Sequence, residues 1–176
     1  MDGEHHPGAL QGEEDGVLGV SGAMTLAEAR EIIARAVEKS REVDWISAYA
    51  VADEGGNIVS ISRLDGAPAV AVPVARSKAW LAALTGKISM PFENEVEAHP
   101  LRFHGYQSVL PRPLFGGPGA APLRKDGRIV GGFSSSTSYS NPGMQTLVGG
   151  KQLSREEVVT AYALQVPYDE QHPDTP

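Results

Sequence analysis

The chain of 176 residues contains no cysteine. Disulfides, thiolate nucleophiles and Cys-based zinc or iron–sulfur centres are therefore excluded, and any metal must be held by imidazole, carboxylate or carbonyl groups. Long hydrophobic runs are missing too. No apolar stretch approaches the roughly 20 residues that cross a bilayer, and the N-terminal residues lack the basic and then apolar order of an export signal. A cytoplasmic protein with no membrane partner is the expectation. Basic residues are absent from both ends: residues 1–24 hold five acids, residues 167–176 hold three, and neither segment has a Lys or Arg. Of the 22 acids, 14 then remain against 15 bases between Thr25 and Val166, so the net charge of −7 belongs to the ends. The near-neutral middle gives no electrostatic footprint for nucleic acid.

What is present fits one domain, from residue 24 to 166, between an acidic Gly-rich tail (1–23) and a shorter one (167–176). Both tails are expected to be flexible, with Val17 to Val20 as a possible short edge strand. Thr25-Leu26-Ala27-Glu28 is a capping box, and Leu26, Ala29, Ile32, Ile33, Ala36 and Val37 recur on one side of the helix it opens, which runs to about Glu42. Two stretches, Ala48 to Asp65 and Ala121 to Ser136, read as β-hairpins turning at Glu54-Gly55-Gly56 and at Asp126-Gly127. The strands of the first are apolar enough to be central in a sheet.

Between the hairpins, Val72 to Thr85 reads as a second helix stopped by Gly86, with Ala75, Ala79, Ala82 and Ala83 making a face that allows close approach to a sheet or to another copy of the helix. Ile88 to Pro122 carries six prolines and reads as loop, with one short helix in Phe92 to Ala98. Ser134 to Gly150 is polar and Gly-rich. A second capping box, Ser154-Arg155-Glu156-Glu157, opens a last helix. The fold class is α+β: an antiparallel sheet of about four to six strands flanked by helices.

Several residues could carry chemistry. Arg63 and Asp65 end the second strand, where they can line a cleft or satisfy each other and the turn. Lys78 sits among Ala and Trp; pointing outward it is a solvated stem, and pointing inward it must be paired or lose its proton easily, which would make it an anion anchor or a base. Glu97, His99, His104 and Tyr106 form the densest group of ligand-type side chains. Two imidazoles and a carboxylate can make a metal triad of Glu97, His99 and His104, and one imidazole can ligate a haem iron, although the spacing matches no zinc signature. Gly116-Gly117-Pro118-Gly119 is not a phosphate loop, since no Gly-Lys-Ser/Thr and no helix follow.

The two hairpins, the Arg63-Leu64-Asp65-Gly66 exit and the helix Lys78-Ala79-Trp80-Leu81-Ala82-Ala83-Leu84-Thr85-Gly86 together resemble the GlcG/HbpS-like haem-binding family, also found as the C-terminal domain of PduO-type proteins. The resemblance runs from about Thr25 to Ser136 and departs at Glu93 to Tyr106 and at Ser134 to Gly150. It implies a small-ligand-binding protein, with haem or another tetrapyrrole as ligand; a homo-oligomer is the further expectation, assembled through the Ala-rich helix and the irregular loops. Arg63, Asp65, Lys78, His99, His104 and Tyr106 are then the binding residues, with a histidine near the metal. Two other readings stay open. One is a cofactor-independent enzyme in which His104 and Lys78 are catalytic and act on a small carbonyl or hydroxy-acid substrate. The other is a non-catalytic assembly or stress protein.

Overall fold

The computed structural model describes residues 22–88, 96–137, 145–148 and 151–166. Both expected tails and the Val17 to Val20 strand lie outside the described residues. The elements, in order, are α1 (Leu26–Glu42), β1 (Ala48–Asp53), β2 (Ile58–Arg63), α2 (Ala71–Thr85), α3 (Pro100–Val109), β3 (Ala120–Lys125), β4 (Arg128–Ser136), β5 (Gln145–Val148), β6 (Lys151–Ser154) and α4 (Arg155–Leu164). Strands β2-β1-β4-β3 form one antiparallel sheet, and β5 and β6 pair separately. This is the expected α+β fold. No helix among the described residues is long and apolar enough to cross a membrane.

Local chemistry sets the element ends. Both capping boxes form, with Thr25 and Ser154 accepting from the backbones of Glu28 and Glu157. The second hairpin turns through Asp126 and Gly127, both at positive φ (49° and 77°), the backbone a two-residue I′ turn demands. In the first hairpin Gly56 alone of the expected turn residues has positive φ, and Asp53 closes the turn by accepting from the backbone N–H of Asn57 at 2.8 Å.

The sheet is covered on both faces. On one, Tyr49, Val51, Leu123, Val130 and Phe133 pack under Ile32, Ile33 and Ala36 of α1 and Val159 and Ala163 of α4. On the other, Ala48, Ala50 and Ala52 of β1 meet Ala71, Ala75 and Ala79 of α2. Strand β1 is thus central and buried from Ala48 to Ala52, whereas β2 stands at the sheet edge, where its side chains are largely half-buried. The expectation of two central strands holds for β1 only. The edge position follows from pairing, because β1 takes β2 on one side and β4 on the other.

Small residues let α2 come down to backbone contact. A methyl group on Gly132 of β4 would lie 2.1 Å from the Ala79 carbonyl oxygen and 2.8 Å from the Ala83 nitrogen. The Ala-rich face is therefore spent on the chain's own sheet, and not on another copy of the helix.

That approach carries Lys78 inside. Its ammonium group donates to the carbonyls of Pro118 (2.5 Å) and Ser135 (2.8 Å) and to Glu156 Oε2 (3.3 Å). The outward, solvated alternative is ruled out: the two side chains of the ion pair are only 2% and 12% exposed. Glu156 also accepts from the Thr137 backbone N–H, and Gly119 fits beside it because any Cβ there would sit 2.5 Å from the Glu156 Cβ. One cation thus joins α2, the segment before β3, the end of β4 and the first turn of α4. Burial holds the Glu156 carboxyl above the ordinary range even with Lys78 beside it.

Two outcomes follow for stability. Gly132→Ala should cost about 1–3 kcal/mol, read as a lower denaturant midpoint, because helix and sheet backbones must separate; an unchanged midpoint would refute the contact. Lys78→Met should cost about 3–5 kcal/mol at neutral pH, since it strands a buried carboxylate. Because folded Glu156 holds its proton to higher pH than the unfolded carboxyl at 4.5, its contribution is fully present below 4.5 and is lost as pH rises through the folded value. The Lys78→Met penalty should therefore shrink in acid, and Glu156→Gln should flatten the slope of stability against pH above 4.5. A pH-independent penalty would contradict the ion pair.

Candidate functional site

The segment read as loop contains a helix. Pro100 occupies the first turn of α3, where its missing N–H costs nothing, and His99 precedes it as the cap residue. Residues 96–98 make a further helical turn; the rest of the short helix expected from Phe92 lies outside the described residues. No residue of α3 is buried. Its sequence therefore has no apolar periodicity to read.

Helix α3 and the irregular segment after it are fastened by polar contacts. Gln107 donates to the Leu114 carbonyl (2.8 Å) and accepts from the Leu114 N–H (3.1 Å), which holds the chain in a closed loop. Ser77 of α2 donates to the Pro113 carbonyl at 2.7 Å. Arg112 donates to the Gly56 carbonyl (2.5 Å) and to Asn57 Oδ1 (3.0 Å), while its guanidinium lies 5.8 Å from the centre of the Trp80 ring. Gly56 in turn allows the first hairpin to rest on Trp80, since a Cβ there would be 1.9 Å from the indole.

Beneath this roof, Trp80, Leu81 and Leu114 form a small apolar cluster supported by Phe103 and Leu110. Between the roof and α2 lies a cleft of about 660 Å³. Leu81, Leu84 and Thr85 supply one wall, with Lys87 beyond the helix end. Val96, His99, Arg102, Phe103 and Tyr106 supply the other, and Leu110 and Leu114 close it. Its size and mainly apolar lining with a few polar groups are those of a small-molecule site.

The structure brings together only part of the expected set. His99 and Tyr106 line the cleft, whereas His104, Arg63, Asp65 and Lys78 are not among its lining residues. His104 is exposed, 6.0 Å from the Phe103 ring in a tilted arrangement. Five residues along a helix is about 140° of rotation beyond a full turn, so positions 99 and 104 point to different sides. Among the described residues, no three His, Asp or Glu side chains gather to hold a metal ion, so the Glu97, His99 and His104 triad is not assembled.

Arg63 and Asp65 are exposed around the Leu64-to-Ala67 turn, which Gly66 permits at φ 85°. Lys78 has its ammonium directed at two carbonyls and Glu156, and neither Lys78 nor His104, the pair of the enzyme reading, lines this cleft. The lining residues not expected from the sequence are the apolar Leu81, Leu84, Val96, Phe103, Leu110 and Leu114, together with Thr85, Lys87 and Arg102. Only the proline at the helix start and the Gln107 to Pro113 composition hinted at an ordered roof.

In the polar, Gly-rich stretch from Ser134 on, the described residues 134–136 and 145–148 are strand. Ser134 and Ser135 are buried in β4, where Ser134 donates to the Ala75 carbonyl (2.6 Å) and the Ser135 hydroxyl accepts from the Trp45 indole (3.3 Å). β5 and β6 pair antiparallel, from Gln145 with Ser154 to Val148 with Lys151.

Three kinds of likeness bear on this arrangement. The family described as haem degrading protein HbpS-like matches residues 24–150. Protein GlcG of Escherichia coli strain K12 is 30% identical over 109 residues, which cover 61% of this chain and 77% of GlcG. The fold is shared with three solved structures. The haem complex of PduOC gives a TM-score of 0.65 at 19% identity, covering 81% of this chain and 94% of that one. A doubly substituted Streptomyces reticuli HbpS gives 0.63 at 21%, covering 92% and 94%. Klebsiella pneumoniae protein ORFY gives 0.61 at 21%, covering 81% and 88%. With residues 24–150, most of its length, matched by the family model and the same fold in these structures, the chain belongs to the HbpS-like family.

Proposed function

We propose that the protein binds haem or another tetrapyrrole in the cleft between α2 and α3. The observation that carries this reading is the cleft itself: about 660 Å³ of mostly apolar space, with aromatic rings from Phe103 and Tyr106 and one imidazole, His99, on its lining. An apolar planar molecule gains most from such walls, since each Å² of apolar surface removed from water contributes roughly 25 cal/mol. His99 is the side chain that would reach a metal at the centre of the ring, and Tyr106 would lie against the ring. A neutral imidazole can supply an axial bond to iron. The haem complex of PduOC supports the reading by its shared fold.

Haemin titration tests it. A saturable Soret shift of one haemin per chain is expected. Phe103→Asp, which puts a charge in the cleft on a helix with no buried residue, should weaken binding at least tenfold. His99→Ala should move the band by changing the iron ligand, while His104→Ala should leave it in place. Absence of saturable binding, or binding indifferent to Phe103→Asp, would reject the cleft.

Self-association is part of the same reading. Its support is α3, where Leu101 and Val109, neither of which lines the cleft, are 85% and 75% exposed. Light scattering should give a multiple of the chain mass that falls in Leu101→Glu/Val109→Glu. A monomeric parent protein would remove this part of the proposal.

A further inference from the structure

Gly105 is a residue of α3 that the chain's own packing does not explain. Glycine is the weakest helix former after proline, yet it stands in the middle of Pro100–Val109. It is not one of the glycines at positive φ, and among the described residues no atom lies within 4 Å of where its Cβ would be. Gly119 and Gly132, by contrast, sit against neighbours that leave no room for a Cβ. Neither a turn nor a close approach within the chain requires glycine at position 105.

Leu101 and Val109 lie four residues to either side. Residues spaced by four form one ridge on a helix, so Leu101, Gly105 and Val109 make a single stripe, bulky at both ends and notched at the centre. Leu101 and Val109 are the two most exposed large apolar side chains described, and Gly105 is exposed between them. Ser108 borders the notch. Its hydroxyl already donates to the Gly105 carbonyl at 2.8 Å, so covering it loses no hydrogen bond. At 100° per residue the stripe stands about a third of a turn round the helix from the residues of α3 that line the cleft, and one helix can serve both.

Occupants differ in what they need from such a surface. A bilayer or a broad apolar partner is met by bulk and has no use for a central notch. A second helix does, because a glycine at the crossing point lets two backbones approach closely. The stripe also reads bulky, small, bulky in both directions from Gly105, so it fits a copy of itself about a two-fold axis through that residue. Antiparallel packing sets the positive end of each helix beside the negative end of the other.

We infer that α3 packs antiparallel against α3 of a second copy, crossing at Gly105, with Leu101 of each chain meeting Val109 of the partner subunit. The inference rests on the self-association proposed above and names its interface. Two ten-residue helices, each about 15 Å long, make a contact smaller than the roughly 1,200 Å² of stable complexes, so the pair separates on dilution. Because the same helix walls the cleft, the partner and the occupant of the cleft favour each other.

The test uses the whole chain, whose lack of cysteine makes crosslinking specific. In Leu101→Cys/Val109→Cys the two thiols of one helix are about 12 Å apart along its axis, too far to bridge, so any disulfide joins two chains. Peptide mapping after mild oxidation should find position 101 joined to position 109. Sedimentation over a dilution series should show a dimer that dissociates, and Gly105→Leu should raise its dissociation constant at least tenfold. Gly105→Ala should also weaken the dimer, yet raise the denaturant midpoint measured at a dilution where the chain is monomeric, because alanine is the better helix former. Haemin should shift the parent protein toward dimer.

Chains joined 101 to 101 and 109 to 109 overturn the antiparallel crossing. A dimer indifferent to Gly105→Leu, or a monomer midpoint that falls in Gly105→Ala, overturns the inference while leaving self-association in place. A parent protein that stays monomeric at every concentration overturns both. A dimer unmoved by haemin overturns the link to the cleft.

Discussion

Contact between the backbones of α2 and β4 is the constraint from which the rest of the structure follows. It exists because one face of the helix is alanine and the strand beneath offers Gly132 and Ser134. At that separation a long side chain on the flank of the helix has no route to water. Lys78 is therefore buried along with its charge, and its neighbours must supply acceptors in place of solvent. They do so from three directions, and each acceptor fixes a different piece of chain: Pro118 before β3, Ser135 at the end of β4 and Glu156 at the head of α4. An interaction of this kind adds little net stability over a pair of apolar residues in place of both partners, but it tolerates neither loss of one partner nor misplacement of the pieces it joins.

The opposite flank of α2 faces the roof, and the two flanks obey different physics. Toward the sheet, apolar packing and a buried charge leave one arrangement. Toward the roof, the contacts are hydrogen bonds from Gln107, Arg112 and Ser77 over a small apolar cluster. These bonds are individually modest and partly exposed to solvent, so they position the roof without tying it to the core. Scaffold and cleft are in this way built from separate sets of residues, although they share one helix.

The same division explains what could be read in the sequence. Capping residues at Thr25 and Ser154, the Asp126-Gly127 turn and the apolar period of α1 are local signals, and the structure realises each of them. Edge and centre of the sheet were not legible for β2, because pairing order is decided by β4, some 70 residues further along. Helix α3 was illegible for a stronger reason: it buries nothing, so periodicity had nothing to report. The candidate site was legible only at His99 and Tyr106. Arg63, Asp65 and Lys78 belong to a motif whose lysine serves the scaffold in this chain, and its strength as a motif did not reveal that. The partner of Lys78 was within reach: a lysine among alanines calls for an acid, and Glu156 stands in the second capping box.

A roof whose helix has no fully buried residue has an evolutionary consequence. Substitutions at the exposed positions of α3 change the ligand face at little cost to the free energy of folding, so they stay clear of the stability threshold that removes most mutations elsewhere in a domain. Relatives with the same sheet and the same buried lysine can then drift in what they hold, one helix at a time. In such a family, likeness of fold travels further than likeness of ligand.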